Sequence, residues 1–308
     1  MNLLITGGLG HIGSYFLENM NKFYNIKNIY VVDANYSNNL NILFQNNIKK
    51  KLNFFLSDIM DFDFVNKIAK IDYILHLASH TNAERSLKNK NYYYKNNFNI
   101  FKRICVVAKK YNSKLIHVSS TSVYGKSSGT VAENCKKNEL KPQSPYAEIK
   151  LKEEEYLKKT NIEYITLRFG TISGVSAGIR FHTAVNKFCL NAALNLEIPV
   201  WKTALNQLRP YLSVNDALRV VLFIIKKNIF DRQVYNILSA NLTVKNILNL
   251  INKNSTKEIK IKMVNSKIMN QLSYKVSRKK IEKMGFSFKS LISNDIKNTL
   301  KILKNIKK

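Results

Sequence analysis

The chain contains few of the residues that mark disulfide frameworks, metal sites and rigid linkers. Its 308 residues include three cysteines, four prolines and ten glycines. Cys105, Cys135 and Cys189 are odd in number, widely spaced and without a CxxC pair, so free thiols in a reducing, cytoplasmic setting are expected instead of a disulfide framework. His182 has no second histidine or cysteine at ligand spacing, and no metal is predicted.

Long apolar runs and acidic residues are also scarce. The longest apolar stretch, VVLFII, is far too short to cross a bilayer, and we find no targeting or lipidation motif, so no membrane partner is predicted. Fifty basic residues against twenty acidic ones give a formal net charge of +30, which leaves nucleic-acid binding as an alternative. Because the lysines are spread through nearly every helical segment and form no single patch, no nucleic-acid partner is predicted.

The chain begins with a predicted strand, a glycine-rich turn and a helix. In MNLLITGGLGHIGSYFLENM, an apolar run precedes Gly7, Gly10 and Gly13, and residues 12–20 have a helical pattern. A turn without side chains lets a pyrophosphate approach the backbone, and the start of the helix offers it free N–H groups. The next predicted strand ends in Asp33, whose carboxylate can bind both hydroxyls of an adenosine ribose and would repel a 2′-phosphate. The pattern predicts NAD as the cofactor.

A second pattern combines a tyrosine, a lysine and a serine. Tyr146 and Lys150 stand four apart in SPYAEIK, twenty-six residues after Ser120 in HVSSTSVYG. Removing a hydride from a carbon that bears a hydroxyl requires a base for the hydroxyl proton, and a phenol is a poor base at its ordinary pKa of about 10. A lysine one helical turn away and a positive nicotinamide ring favour the phenolate and should lower the pKa of Tyr146. Ser120 would fix the same substrate oxygen.

In order along the chain, these motifs resemble the extended short-chain dehydrogenase/reductase family, within it the NAD-dependent nucleotide-sugar epimerase/dehydratase group that includes UDP-glucose 4-epimerases. The resemblance covers nearly the whole chain and is carried by TGGLGHIG, FLSDIM, HLASHT, NYYYKNNFNIF, SSTSVYG, SPYAEIK, LRFGTISG and LRPYLSVNDAL. It implies a catalytic set of Ser120, Tyr146 and Lys150. It also implies a cofactor-binding set, which includes the glycine turn and Asp33 already described. The members of this set are Gly7, Gly10, His11, Ile12, Gly13, Asp33, Asp58, Ile59, Leu77, Ala78, Ser79, Asn97, Ser119, Tyr146 and Lys150.

The substrate implied by the resemblance is a nucleotide-diphosphate sugar. Guanidinium groups suit a diphosphate because they bind it bidentately. Arg209 is the strongest candidate for contacting the diphosphate, and Arg180 and Lys187 are the other two. Thr171 replaces the family asparagine near the substrate phosphates, and Tyr211 replaces a phenylalanine. The predicted substrate-binding residues are Thr81, Ser120, Thr121, Tyr146, Thr171, Arg180, Lys187 and Arg209.

Departures from the family pattern narrow the expected reaction. The 4,6-dehydratases carry Asp and Glu directly after the serine, where this chain has Thr121 and Ser122, so 4,6-dehydration is disfavoured. We expect an NAD-dependent epimerase acting at the sugar 4-position in cell-surface polysaccharide biosynthesis. A nucleotide-sugar 4-dehydrogenase or ketoreductase with net redox is the alternative. A non-catalytic NAD(H)-binding sensor is disfavoured because tyrosine and lysine are both present.

Alternating strand and helix patterns predict an α/β fold. The runs NIYVVD, KLNFFLS, YILHLA and KLIHVSS predict a Rossmann-type, doubly wound parallel sheet that continues through EYITLRF and VYNIL. We expect an NAD-binding domain of residues 1–172 plus 211–240 and a smaller, discontinuous α/β substrate lobe of residues 173–210 plus 241–308. The family resemblance also implies a homodimer joined through helices near 92–110 and 146–159.

Overall fold

Strands and helices alternate along the first half of the chain, as predicted. The computed structural model describes residues 1–23, 25–36, 38–44, 52–125, 129–265 and 274–306. Within these ranges the strands are β1 (Asn2–Thr6), β2 (Asn28–Asp33), β3 (Leu52–Leu56), β4 (Tyr73–His76), β5 (Lys114–Ser120), β6 (Thr130–Val131), β7 (Tyr164–Phe169), β8 (Thr171–Ser173), β9 (Ile198–Trp201), β10 (Leu208–Ser213), β11 (Val234–Ile237), β12 (Ala240–Thr243), β13 (Ile261–Val264) and β14 (Lys275–Val276). The helices are α1 (His11–Glu18), α2 (Phe64–Lys67), α3 (Ala83–Lys88), α4 (Lys90–Tyr93), α5 (Asn99–Tyr111), α6 (Pro145–Lys158), α7 (Ala184–Ala193), α8 (Val214–Lys227), α9 (Val244–Asn254), α10 (Lys279–Lys283) and α11 (Ile292–Leu303).

A parallel sheet forms the centre of the molecule. Seven of the described strands pair in the order β11-β7-β5-β4-β1-β2-β3, and every neighbouring pair is parallel. All six residues of β7 are buried, which is typical of a parallel strand covered on both faces. The seven runs predicted as strands, including the one before the glycine turn, all lie in this sheet, so the predicted fold class is confirmed.

Helices cover both faces of the sheet. On one face α1 and α8 pack through Phe16, Leu218 and Ile224. On the other face α5 and α6 pack through side chains that include Phe101 and Leu157. Consecutive strands lie on both sides of β1, because β2 and β3 follow it outwards in one direction and β4 and β5 in the other. This reversal opens a crevice at the carboxyl ends of β1 and β4, where ligands bind in folds of this kind.

A smaller region adjoins the sheet. β10 pairs with β8 in parallel and with β12 in antiparallel orientation, and β9 pairs with β13. Helices α7, α9 and α11 pack beside these strands. In α7, Val185, Phe188 and Cys189 are buried against this region. The domain boundaries stay a prediction. Strand β10 belongs to the smaller sheet but extends across the predicted boundary between residues 210 and 211. Ile281 of α10 falls in the predicted substrate lobe but packs in the core beneath the seven-stranded sheet.

Candidate active site

A glycine turn leads from β1 into α1 at the crevice. Gly7 has a φ of +72°, and a Cβ placed there would lie 2.6 Å from the backbone nitrogen of Ala78. A Cβ on Gly13 would lie 2.6 Å from the carbonyl oxygen of Gly7. Both approaches are too close for any side chain, so the turn requires glycine. The start of α1 has no side-chain cap, which leaves its first N–H groups for an anion such as a phosphate.

The segment between Gly174 and Arg180 packs directly on this turn. Ser176 donates its hydroxyl to the carbonyl oxygen of His11 at 2.8 Å, and the Gly178 N–H donates to Ser14 Oγ at 2.8 Å. A Cβ on Gly178 would lie 2.6 Å from the carbonyl oxygen of Gly10. The second segment therefore covers the glycine turn at backbone distance.

The ring of His11 serves this packing. His11 is buried, and its Nε2 lies 2.7 Å from the carbonyl oxygen of Gly174. Burial lowers the pKa of His11 to about 4, with a smaller contribution from the nearby Arg180, so the ring is neutral and donates to that carbonyl. Any contact of His11 with a bound cofactor is therefore made by its backbone, because the ring faces Gly174.

Arg180 ends the covering segment and projects over the turn. Its Nη1 donates to Thr81 Oγ1 at 2.6 Å, and its Nη2 lies 3.1 Å from the position that a Cβ on Gly10 would occupy. Burial lowers the pKa of Arg180, while the nearby Tyr146 and Asp33 act in the opposite sense. The structure thus joins two residues predicted to bind substrate, Thr81 and Arg180, and places the guanidinium over the predicted cofactor turn.

A groove of about 620 Å³ lies along the crevice. Most of the predicted cofactor residues line it, namely Gly7, Gly10, Asp33, Asp58, Ile59, Leu77, Ala78, Ser79 and Asn97. Thr81 and Arg180, predicted for the substrate, line it as well. Among the described residues, its lining does not include His11, Ile12, Gly13, Ser119, Ser120, Tyr146 or Lys150. The groove has the size of a small-molecule site and joins the glycine turn to the ends of β2, β3 and β4.

Asp33 closes the end of β2 and stands in this groove. Its Oδ2 accepts the Leu9 N–H at 2.9 Å, and its Oδ1 accepts the Asn35 N–H at 2.7 Å. The carboxylate is therefore held by two backbone donors, one from the glycine turn and one from the segment after β2. Each oxygen keeps a lone pair for a further donor, as recognition of ribose hydroxyls requires.

Sequence reasoning missed an aromatic wall on this groove. Tyr36 donates its hydroxyl to Asp58 Oδ2 at 2.9 Å, and its ring centre lies 5.8 Å from that of His80. The ring of His80 lies in turn 5.3 Å from Tyr92 and 5.9 Å from Tyr93. The four rings offer flat apolar surface beside Asp58. The sequence offered one signal for these residues: each aromatic residue lies within a few positions of a residue predicted to bind the cofactor.

Asn97 fixes the backbone that carries part of this wall. It is buried in a π-helical turn, Tyr94–Phe98, a local irregularity that often marks functional sites. Its side chain exchanges two hydrogen bonds with the backbone of His80, at 2.9 and 3.0 Å. Ser79, beside His80, has a buried hydroxyl without a partner among the described residues. A buried hydroxyl left free in the groove fits a ligand that supplies its hydrogen bond.

Helix α6 positions the predicted base. Ser144 caps it by accepting the Ala147 N–H at 3.2 Å, and Pro145 occupies its first turn. One helical turn apart, Tyr146 and Lys150 lie on the same face, with Lys150 Nζ 6.0 Å from the centre of the tyrosine ring. Burial raises the pKa of Tyr146, and Lys150 and Arg180 lower it by less. The predicted lowering of the Tyr146 pKa is therefore not found in the protein alone, because burial raises this pKa by more than Lys150 lowers it.

The end of β5 places its polar side chains on opposite faces. Ser120 Oγ accepts the Ser122 N–H at 3.2 Å and the Ser122 hydroxyl at 2.9 Å. Ser119 points to the other face and donates to Glu154 Oε1 at 2.6 Å, so its hydroxyl does not face the groove. The buried Thr121 donates to the carbonyl oxygen of Phe169 at 3.3 Å.

The remaining residues predicted for the substrate are spread over the smaller region. Thr171 of β8 is paired with Tyr211 of β10. Arg209 donates to Gln207 Oε1 at 3.1 Å, and Lys187 lies on the exposed side of α7. Within the described residues, no hydrogen bond or ion pair joins Arg180, Lys187 and Arg209 to one another.

A model of the NAD dependent epimerase/dehydratase family matches residues 3–237. The chain belongs to this family. The predicted family resemblance is confirmed, and so is the prediction of NAD, on which the family depends. The groove fits that cofactor: the glycine turn leaves room where a side chain would stand, Ser79 offers a free hydroxyl, and Asp33 offers a positioned carboxylate.

The names of curated relatives include both 4-epimerases and 4,6-dehydratases. The chain is 30% identical over 234 residues to a putative UDP-glucose 4-epimerase of Methanocaldococcus jannaschii, covering 72% of this chain and 73% of that protein. It is 29% identical over 258 residues to a dTDP-D-glucose 4,6-dehydratase of Dictyostelium discoideum, covering 76% of this chain and 57% of that one. Membership therefore fixes the family and leaves epimerase or dehydratase open.

Solved structures share the fold of this family member along nearly its whole length. UDP-glucuronic acid 4-epimerase from Bacillus cereus, solved with UDP-glucuronic acid and NAD, is 23% identical with a TM-score of 0.87 and 99% coverage of both chains. DesIV, a dTDP-glucose 4,6-dehydratase from Streptomyces venezuelae, is 21% identical with a TM-score of 0.84, covering 98% of this chain and 96% of that one. These likenesses show the fold.

Two further observations concern the described residues alone. None of their helices is long and apolar enough to span a lipid bilayer. Nowhere in them do three or more His, Cys, Asp or Glu side chains come together as a candidate metal site. His182 lies instead at the edge of the groove.

Proposed function

We propose that this protein is a nucleotide-sugar epimerase that transiently oxidises the sugar at its 4-position, with Tyr146 as the base. The observation that carries the proposal is the pairing of Tyr146 and Lys150 on one face of the capped helix α6. Arg180 acts on the electrostatics of Tyr146 and lines the cofactor groove, which relates the base to the cofactor site. Among the relatives, a putative UDP-glucose 4-epimerase supports this reaction.

Each member of the catalytic set has a distinct task. Tyr146 takes the proton from the sugar hydroxyl, and Lys150 stabilises the phenolate by its charge. Ser120 donates to the same sugar oxygen and fixes its position. NAD held in the groove by residues such as Gly7 and Asp33 would supply the acceptor for the hydride of the sugar carbon, and return of that hydride to the opposite face would invert the carbon. Tyr146 returns the proton at the end of the cycle.

The side chains after Ser120 argue against 4,6-dehydration. Elimination of water needs an acid and a base beside the sugar. Thr121 is buried and donates its hydroxyl to the carbonyl oxygen of Phe169, and Ser122 donates its hydroxyl to Ser120 Oγ. Neither side chain offers a carboxyl group, so the dehydratase activity of some relatives is not proposed for this chain.

The substrate is proposed to be a nucleotide-diphosphate sugar held from the smaller region. Arg209 and Lys187 are the candidates for its diphosphate, and Thr171 lies on the strand beside Arg209. Arg180 stands nearer to the cofactor turn. A small anionic substrate also fits the strongly positive net charge, which raises the local concentration of anions.

The proposal extends to assembly and setting. Val106 of α5 is 56% exposed, and Tyr92 of α4, whose ring also lines the groove, is 52% exposed. We propose a homodimer joined through α5 and α6, working in the cytoplasm on sugars for cell-surface polysaccharides. Sedimentation analysis of the protein and of V106E tests the dimer. A monomeric unmodified protein contradicts it.

Product analysis separates the reactions. The purified protein is incubated with a panel of UDP, GDP, CDP and dTDP sugars, and the products are examined by mass spectrometry and NMR. An epimer of unchanged mass without release of NADH supports the proposal. Loss of water indicates a 4,6-dehydratase, and NADH formed in proportion to substrate indicates a 4-dehydrogenase.

A further inference from the structure

Beneath the predicted base lies a buried ionic cluster formed by Lys150, Glu153 and His117. All three side chains are at most 3% exposed. Lys150 Nζ lies 2.8 Å from Glu153 Oε2, and His117 Nε2 lies 2.9 Å from the same oxygen. His117 Nδ1 lies 3.2 Å from Thr166 Oγ1. The cluster therefore runs from β7 through β5 into the catalytic helix.

Glu153 is the counter-ion of Lys150. Glu154, next to it, is engaged by Arg168 at 2.6 Å and by Ser119 at 2.6 Å. The second oxygen of Glu153, Oε1, has no partner among the described residues. A buried carboxylate with one free oxygen is costly, which indicates a role beyond packing.

The groups that face the cluster come from several elements. Tyr146 and Glu154 belong to the same helix as Lys150, His76 faces it from β4, and Cys105 faces Glu153 from α5. Burial lowers the pKa of His76 to about 3, and Lys150 adds to this effect, so His76 carries no charge. Burial raises the pKa of Cys105, which stays a thiol. Glu153 thus remains the carboxylate that sets the state of Lys150.

We propose that Glu153 and His117 are positioning residues that keep the Lys150 ammonium charged and directed beneath Tyr146. One N–H of the ammonium is bound by Glu153, which leaves two for Tyr146 and for a ribose hydroxyl. His117 fixes the carboxylate from the sheet, so the lysine cannot turn away from the tyrosine. This inference rests on the proposed function, because it acts through the same base.

The electrostatic balance gives the sign of the expected effect. Burial lowers the pKa of Lys150, but Glu153 and Tyr146 outweigh it and hold that pKa above its ordinary value. Without the Glu153 charge, burial prevails and the pKa of Lys150 falls. Glu153 also raises the pKa of Tyr146. Its neutralisation should therefore move the acid limb of the pH profile to lower pH and introduce an alkaline limb where Lys150 loses its proton.

The first test uses E153Q loaded with NAD, with E155Q as the matched control on the same helix. Lysine titration followed by isotope-labelled NMR should show Lys150 losing its proton at least about one pH unit lower in E153Q, which is tenfold in the proton equilibrium. E155Q should match the unmodified protein. The kcat of E153Q should fall at alkaline pH while the KM for the sugar stays within about twofold, and E153D should restore the charge of Lys150.

An E153Q protein that melts like the parent and whose Lys150 titrates like the parent overturns the proposal. If E153Q does not fold, H117Q decides, because it keeps the carboxylate and removes the ring that fixes it. A lower kcat with a displaced pH profile in H117Q supports positioning, and an unchanged profile refutes it. The NMR titration needs no sugar, so its failure is distinct from failure of the proposed reaction.

Discussion

The side-chain amide of Asn97 hydrogen-bonds both the backbone N–H and the backbone carbonyl oxygen of His80. Its Oδ1 accepts the His80 N–H at 2.9 Å, and its Nδ2 donates to the His80 carbonyl oxygen at 3.0 Å. His80 immediately follows Ser79 in the groove lining, and its ring contacts Tyr36, Tyr92 and Tyr93. One buried amide thus fixes the backbone of the residue whose ring lies at the centre of this aromatic wall.

Asn97→Ala should destabilise the protein and weaken NAD binding together. The change leaves both backbone groups of His80 without their partner, at an expected cost of about 2–4 kcal/mol. Asn96→Ala is the control, because that side chain donates at the exposed surface to Tyr92. Urea unfolding and calorimetric titration with NAD measure both effects. Equal stability of the two variants contradicts the role given to Asn97.

Tyr146→Phe should abolish turnover and leave NAD bound. The substitution removes the proton acceptor and keeps the ring, and loss of a general base costs roughly 10² to 10⁴ in rate. Tyr156→Phe, on the same helix and packed against Phe98, should keep its activity. Steady-state rates and the NAD content of the purified proteins are the measurements. A fully active Tyr146→Phe protein refutes the base assignment.

Asp33→Asn should weaken NAD binding and improve NADP binding relative to it. The amide cannot repel a 2′-phosphate, and hydrogen bonds to a charged group contribute about 1.5–3 kcal/mol. Asp61→Asn, at an exposed position in the loop after Asp58, serves as the control. The measured quantity is the ratio of the Kd values for NAD and NADP. An unchanged ratio shows that Asp33 does not select the cofactor.

Acid should destabilise the folded protein through His11. Burial lowers the folded-state pKa of His11 from 6.5 to about 4, so the unfolded chain takes up the proton first as the pH falls. The contribution is fully present above pH 6.5 and is lost as the pH falls towards 4. Its size is on the order of 1–3 kcal/mol.

His11→Gln tests this pH dependence. Glutamine can still donate to the Gly174 carbonyl oxygen but has no proton to gain in this range. Urea unfolding between pH 7 and pH 4 should show a flatter decline in the free energy of unfolding for the variant. Parallel curves for the two proteins contradict the assignment. Asp295 acts in the opposite sense, since burial raises its pKa to about 6.

Local sequence predicted the parts of the site that local structure builds. Gly7, Gly13 and Asp33 lie within one strand–turn–helix–strand unit, and their spacing determines their geometry. Tyr146 and Lys150 share a helix face because they stand four apart. The central sheet followed from its apolar runs in the same way.

Contacts between distant segments could not be predicted in this way. Arg180 reaches the glycine turn because Gly178 lets one loop pack on another, and no local pattern encodes that packing. Ser119 was assigned to the cofactor although its neighbour Ser120 points to the opposite face, as alternation along a strand requires. Glu153 stands three residues after Lys150, but only the burial of α6 against β5 makes the pair a buried ionic contact that His117 joins from the sheet.

The segment of residues 174–180, which packs over the glycine turn, is translated long after the turn itself. Ser14 and Ser176 are hydrogen-bonded at 3.0 Å but stand 162 positions apart. On the ribosome, the amino-terminal βαβ unit is exposed long before its cover has been translated. A nascent polypeptide that stops short of residue 178 should therefore release dinucleotide quickly, and lasting capture should begin only after the later segment has emerged from the exit tunnel.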